Sequence, residues 1–163
     1  MASLSDALVQ QLLHGRYVAS LGTEHPNASI HMVAVWFWFD GAHIYIATSS
    51  QSRKARNVKA HAKASLMIDS RDQAASRGVT IAGPAELVGG DSSKQWNAEV
   101  HRKYLSEAAL ADPRVGPVFA AWDDVTIRIT PHSVVAWDMR VADAQFFAGA
   151  MRSNPGYLLP LER

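Results

Sequence analysis

The sequence predicts a mainly β domain, a β-barrel with helical decoration. Three observations predict it: about six short segments enriched in β-branched and aromatic residues, turn residues between them at short intervals, and helical periodicity in only a few places. Apolar residues make up 48% of the 163 positions and charged residues 19%, the balance of one ordinary globular domain. A chain of this length buries roughly two-thirds of the surface its unfolded form exposes, so it needs no covalent staples.

The first element is a short amphipathic helix over Ser3 to His14. Leu4, Leu8, Leu12 and Leu13 fall at near-helical spacing, Ser3 or Ser5 offers an N-cap, and Gly15 a stop. Tyr17 to Leu21 and Ile30 to Phe39 have strand composition, and Gly22 to Ser29, with Pro26, connects them. Asp40-Gly41 is a tight hairpin turn, because glycine enters positive φ without steric cost, and Ala42 to Thr48 is the returning strand. Hydroxyl residues then open a helix over Ser52 to Ala60. Ala64 to Asp69 and Val79 to Val88 are the next strands. The second is interrupted at Gly83-Pro84, where proline removes a ladder donor, and ended by Gly89-Gly90. Ser92 to Leu105 is a helix with Trp96, Val100, Tyr104 and Leu105 as its apolar stripe, and Pro113 to Pro117 is a loop. Thr126 to Thr130 and Ser133 to Trp137 complete the strands, on either side of Pro131-His132. One domain is expected over 1–140, followed by a C-terminal tail over 141–163 in which only Ala142 to Met151 has weak helical character.

Lysine and arginine number 16 against 15 acidic residues, a formal charge of +1, so no overall field draws the chain to nucleic acid or membrane. Any anion must be held locally. With 0 cysteines, disulfides, thiolate metal sites and cysteine nucleophiles are excluded. Met1 to Ser20 has no basic stretch followed by an apolar one, and no apolar run approaches the ~20 residues of a membrane span. A soluble, cytoplasmic protein is expected. The 7 histidines show no metal-ligand spacing, and no dinucleotide or Walker glycine pattern occurs. Asp123-Asp124 reads either as paired carboxylates or as a turn before a strand.

The segment Thr48-Ser49-Ser50-Gln51-Ser52-Arg53-Lys54 puts hydroxyls and two cations between a strand end and a helix start. Helix N-termini offer unpaired amides and a partial positive charge; arginine grips phosphate through parallel hydrogen bonds and lysine adds a compact charge. A phosphate fits there. The plainer alternative is an N-cap followed by a solvated basic helix.

The setting of that segment carries a resemblance. His31-Met32-Val33-Ala34-Val35-Trp36, then Ile44-Tyr45-Ile46-Ala47-Thr48 and Ser52-Arg53-Lys54, resemble in order and spacing the cofactor-binding core of the pyridoxamine-phosphate-oxidase-like family. Ala64 to Met67, Arg77 to Gly83, Glu99 to Leu105 and Arg128 to Trp137 resemble that family's later elements, so the likeness covers roughly residues 5 to 140. It implies a split β-barrel of the FMN-binding type and a flavin-dependent oxidoreductase. His31, Met32, Val33 and Val35 would run along the flavin ring, largely through backbone groups. Ala47 and Thr48 would flank the ring and ribityl chain, and Arg53 and Lys54 would bind the phosphate with help from Ser49 and Ser52. Trp137 would approach from the neighbouring subunit of a homodimer. No side chain need act as acid or base, because the cofactor supplies the hydride chemistry. The Trp36 to Phe39 run would then be core, or a surface stacked against the flavin or the second subunit.

The chain departs from the oxidase pattern in three places. His31 stands where the oxidase has an arginine, Gly78 where a glutamine touches the ring, and Asp138-Met139-Arg140 replaces the arginine-histidine substrate motif. The resemblance therefore does not imply the vitamin B6 oxidase itself. Relatives with the same Ser-Arg-Lys segment bind a deazaflavin coenzyme, for which Arg56, Lys59 and Lys63 would extend a basic groove; the plainer alternative is a solvated helix face. A third reading is a non-enzymatic flavin or haem binder, with His31, His43 or His61 as haem ligand.

Overall fold

The structure, a computed structural model, describes residues 2–160. Its centre is an antiparallel sheet of 8 strands. The strands are β1 (Ala19–Glu24), β2 (Ile30–Val35), β3 (Trp38–Phe39), β4 (Ile44–Thr48), β5 (Lys63–Asp69), β6 (Arg77–Val88), β7 (Val125–Ile129) and β8 (Ser133–Asp138). Neighbours run β2-β1-β5-β6-β7-β4-β3, with β8 paired to β6. Around them lie α1 (Ala7–His14), α2 (Arg53–His61), α3 (Gly90–Tyr104), α4 (Glu107–Ala111), α5 (Gly116–Trp122), α6 (Met139–Phe146) and α7 (Ala150–Ser153), then a single 3-10 turn at Pro155–Tyr157. Among the described residues no helix is long and apolar enough to cross a membrane.

β6 makes this a barrel. Its first half lies between β5 (Asp69↔Gly78 to Ala64↔Gly83) and β8 (Asp138↔Arg77 to Ser133↔Ala82); beyond Pro84 it pairs with β7 instead (Ala85↔Ile129 to Val88↔Thr126). The interruption expected at Gly83-Pro84 is therefore a change of partner within one 12-residue strand. Proline's missing donor falls at the handover, where it costs no ladder bond. Alternate residues of the strands fill the interior: Leu21, Ile44, Ile46, Leu66, Ile68, Ile81, Ile127 and Ile129 are fully buried, together with Leu12 and Leu13 from α1.

The other departures from expectation have local causes. The first strand runs on through Gly22 and Thr23, and the turn is confined to His25–Ser29, where Asn27 Oδ1 accepts from the Ser29 amide at 3.1 Å and Ala28 takes a φ of 64°. Ile30 to Phe39 divides into β2 and β3 because Trp36 and Phe37 cannot alternate. Trp36 stacks on Tyr104 with centroids 5.0 Å apart, and Phe37 is fully buried. The Asp40-Gly41 turn forms as expected, with Gly41 at φ 102° and Asp40 Oδ1 accepting from the amides of Ala42 and His43. α1 starts later than Ser3, at the Asp6 N-cap. Of the loop expected at Pro113–Pro117, Pro113 to Val115 form a turn, while Gly116 and Pro117 already belong to α5, Pro117 in its first turn, where the missing N–H is harmless.

Gly83 tests the β6 crossover. A Cβ there would stand 2.0 Å from the carbonyl oxygen of Thr130, the strand end that also accepts β6 as neighbour. Backbone cannot yield as a side-chain tip would, so Gly83→Ala is expected to cost roughly 1–3 kcal/mol, lowering the thermal midpoint by several degrees in a calorimetric scan.

Candidate functional site

Among the described residues the sheet order leaves free edges at β2, β3, β8 and the end of β4; the β2 edge is the one the resemblance places along a ligand, and the end of β4 leads into α2. β2 has one neighbour, β1, and β4 beyond Tyr45 has one neighbour, β7. Every second N–H and C=O along Ile30–Val35 therefore points away from β1 without a strand partner, an edge on which a ligand can align. α2, which follows β4, reaches back to the β1–β2 side: Asn57 Nδ2 donates to Thr23 Oγ1 at 3.0 Å, both residues buried, and Thr23 faces His31 in the β1–β2 register. That bond ties the middle of α2 to β1, the strand that neighbours the β2 edge.

The helix start has the form of an anion seat. Ser52 is the N-cap, its Oγ accepting from the Ala55 amide at 3.2 Å, and its carbonyl accepts from Arg56 at 3.1 Å. The amides of Arg53 and Lys54, between them, meet no acceptor among the described residues, as the first-turn donors of a helix require of an external partner. Arg53 is exposed and enters no ion pair among the described residues. Lys54 is half-buried; burial holds its pKa below the usual lysine value, and the charge of Asp123 works against that. Thr48, at the end of β4, is buried and shares a 3.0 Å hydrogen bond with the Ser52 hydroxyl. Ser49 accepts from the Gln51 amide at 3.2 Å, and Ala47 is half-buried beside Thr48.

Of the residues read along the ring, His31, Val33 and Val35 lie on the face of β2 that pairs with Thr23, Leu21 and Ala19, while Met32 lies on the opposite, exposed face. The strand thus presents these residues to a common ligand through its edge rather than through one row of side chains. Trp137 stands apart from this group. Its register partner is Gly78, and a Cβ on Gly78 would fall 2.1 Å from the indole ring and 2.7 Å from the carbonyl oxygen of Ile68. The glutamine of the oxidase pattern has no room at position 78 while Trp137 lies across it. Lys63 is not available to a basic groove, because it pairs with Glu24 at 2.5 Å. No group of acidic or histidine side chains able to hold a metal occurs among the described residues.

One set of residues carried no sequence signal. Behind the seat, α3 turns Ser93, Asn97 and His101 inward, all buried. Asn97 Nδ2 donates to the Asp123 carbonyl at 2.7 Å, Thr126 Oγ1 donates to Asn97 Oδ1 at 2.6 Å, and His101 Nε2 lies 2.8 Å from Asp123 Oδ2. Asp124 closes on the seat itself, where Ser50 donates both its amide and its hydroxyl to the carboxylate at 2.6 Å each. These two donors hold the Asp124 carboxyl below its usual pKa.

No curated protein matches the chain. Among solved structures it is similar to protein Rv2991 of Mycobacterium tuberculosis, with TM-score 0.69 and 21% identity over 99% of this chain and 92% of that one. It is similar to an F420 reductase, with TM-score 0.62 and 22% identity over 77% of this chain and 94% of that one. It is also similar to general stress protein 26 of Bacillus anthracis, with TM-score 0.57 and 16% identity over 79% of this chain and 90% of that one. At such identities the likeness shows the fold, a split barrel. The family model described as pyridoxamine 5'-phosphate oxidase matches residues 5–138, from just before α1 to the last residue of β8. The chain belongs to the pyridoxamine 5'-phosphate oxidase family.

Proposed function

We propose that the chain is an FMN-dependent oxidoreductase that moves hydride between a reduced donor and a small organic substrate other than a vitamin B6 phosphate. One observation carries the reading: α2, whose first turn offers the Arg53 and Lys54 amides without an acceptor among the described residues and both side-chain charges, is tied to β1, the strand that neighbours the free edge of β2. A ligand with a ring and a phosphate a few bonds away matches that pairing. Arg53 and Lys54 would hold the phosphate, Ser49, Ser52 and Thr48 would lie beside the ribityl chain, and the backbone of His31–Val35 would meet the ring edge. The chemistry such a group supplies when bound is two-electron transfer. The chain's own part is to bind, orient and exclude water.

A homodimer completes the reading. The outward face of the sheet is apolar from β2 across to β8: Ile30 is 64% exposed, Met32 58% and Val135 55%, and Trp137 lies on the same face. A cleft of about 450 Å³ between Ile30, Met32 and Met67 opens there. Large apolar side chains at such exposure favour a second copy over water. Deazaflavin is the second reading, favoured by the exposed cations Arg53, Arg56 and Lys59 along α2, which enter no ion pair among the described residues, and by the F420 reductase likeness.

The mass and spectrum of the co-purifying ligand separate the readings. FMN gives a band near ~450 nm and a deazaflavin a blue-shifted one, while a Soret band or an absence of chromophore after reconstitution with either coenzyme contradicts both. Replacing Arg53 and Lys54 together with alanine is expected to weaken FMN binding by roughly 2–4 kcal/mol, about 30- to 1000-fold in Kd by fluorescence titration. Unchanged affinity would remove the seat. Ile30→Asp with Met32→Asp is expected to give a folded monomer in light scattering, with poorer flavin retention.

A further inference from the structure

Four hydroxyl residues crowd the strand-to-helix handover, and nothing in their order separates Ser50 from Ser49 or Ser52. The fold does separate it. Asp124, 74 positions along the chain, accepts the Ser50 amide on one carboxylate oxygen and the Ser50 hydroxyl on the other, both at 2.6 Å. A carboxylate offers only acceptors, so this is the contact a bound phosphate would make with the same two donors. An anion belonging to the protein already occupies that part of the terminus.

The backbone around Asp124 is pinned. The Asp123 carbonyl receives Asn97 Nδ2 at 2.7 Å, its carboxylate receives the buried His101 ring at 2.8 Å, and the Val125 carbonyl receives Asn97 Nδ2 at 3.2 Å. Moving this stretch away from Ser50 would strand buried polar groups. A second carboxylate reaches the cations of the helix start, since Lys54 lies within range of the charge of Asp123.

We propose that Asp124 is a specificity-determining residue of the seat: by withdrawing both donors of Ser50 and fixing a negative charge on Ser50, three positions before Arg53, it limits the seat to one phosphate group and rejects a diphosphate. The inference rests on the phosphate seat described under the proposed function. A monophosphate finds the free amides and two cations. A second phosphate would have to lie toward Ser50, where its donors are taken and the charge repels it. Without Asp124 the same loop would offer Ser50 as further donor, the makings of a longer anion cradle.

Titration of the full chain with inorganic phosphate and with pyrophosphate, in magnesium-free buffer at low salt, tests this. The wild type is expected to favour phosphate. Asp124→Asn keeps an acceptor for Ser50 and removes the charge; it is expected to tighten pyrophosphate by about tenfold and phosphate by about threefold, and to lose the tightening as salt is raised. Ser50→Ala, which leaves the charge in place and removes only a hydroxyl already committed, is expected to change phosphate affinity by less than about twofold. Circular dichroism confirms that each variant is folded, and Ser50→Ala remains informative if Asp124→Asn is not. Weaker phosphate binding in Ser50→Ala would make Ser50 a ligand and overturn the proposal, as would equal or weaker pyrophosphate binding in Asp124→Asn. The Arg53→Ala, Lys54→Ala pair distinguishes the two levels: a loss there with no response to Asp124→Asn overturns the selectivity alone, and no loss overturns the seat and the selectivity together.

Discussion

The barrel is left open between β2 and β4, and most of what the molecule can do depends on that opening. It exists because the chain between the two strands is spent on packing. Trp36 goes to a stack with Tyr104 and Phe119, Phe37 goes into the core, and only Trp38 and Phe39 return to pair with β4. Had the strand continued as alternation alone would suggest, β2 and β4 would be joined by a long hairpin and the edge of β2 would be consumed. A sheet edge is ordinarily a hazard that proteins blunt. Here a ligand of the kind proposed, aligned on that edge, would blunt it.

Holding a helix start in that place requires support from beneath, and the support is polar. Thr23 and Asn57 tie α2 to β1, while Ser93, Asn97, His101 and Thr126 tie α3 to the chain that carries Asp123 and Asp124. Buried polar groups are costly when unpaired, so a network with its members satisfied admits few alternative arrangements. Apolar packing would have filled the same volume but would not have fixed the carbonyl and carboxylate directions at 123 and 124. This explains why the inward face of α3 near the seat is polar, although the same helix buries Val100 in the ordinary way.

What the sequence showed and what it hid follow from the range of the interactions. The Ser52 cap and the Asp40-Gly41 turn rest on bonds spanning a few residues, and both were legible. Strand positions were legible too, because alternation is local, but their ends were not. Glu24 and Lys63 join the sheet at strand ends, where they pair with each other across neighbouring strands, and nothing near either residue in the chain announces it. α5 was hidden by prolines that read as loop punctuation; only the position of Pro117 in a first turn distinguishes a helix start from a break. The segment Ser49 to Lys54 reads as a candidate anion site from composition alone, whereas the contact of Ser50 with Asp124, 74 residues away, is invisible in a sequence where Asp123-Asp124 reads as paired carboxylates or as a turn. Asn97 and His101 fall at helical spacing but are polar, so a search for an apolar stripe passes over them.

A formal charge of +1 spread over 163 residues gives an anion no reason to approach one part of the surface over another. Selection must then come from fixed dipoles and a few charges held at known places, which act over roughly a Debye length of ~8–10 Å and little farther. Uncompensated cations would bind any polyanion indifferently. Cations set against carboxylates, with backbone amides aimed at one point, bind an anion only where its geometry uses those amides. The near-neutral composition and the Asp123 charge beside Lys54 are in this sense one property seen at two scales: long-range attraction is given up, and an anion that docks at the start of α2 would be selected by shape and number of charges.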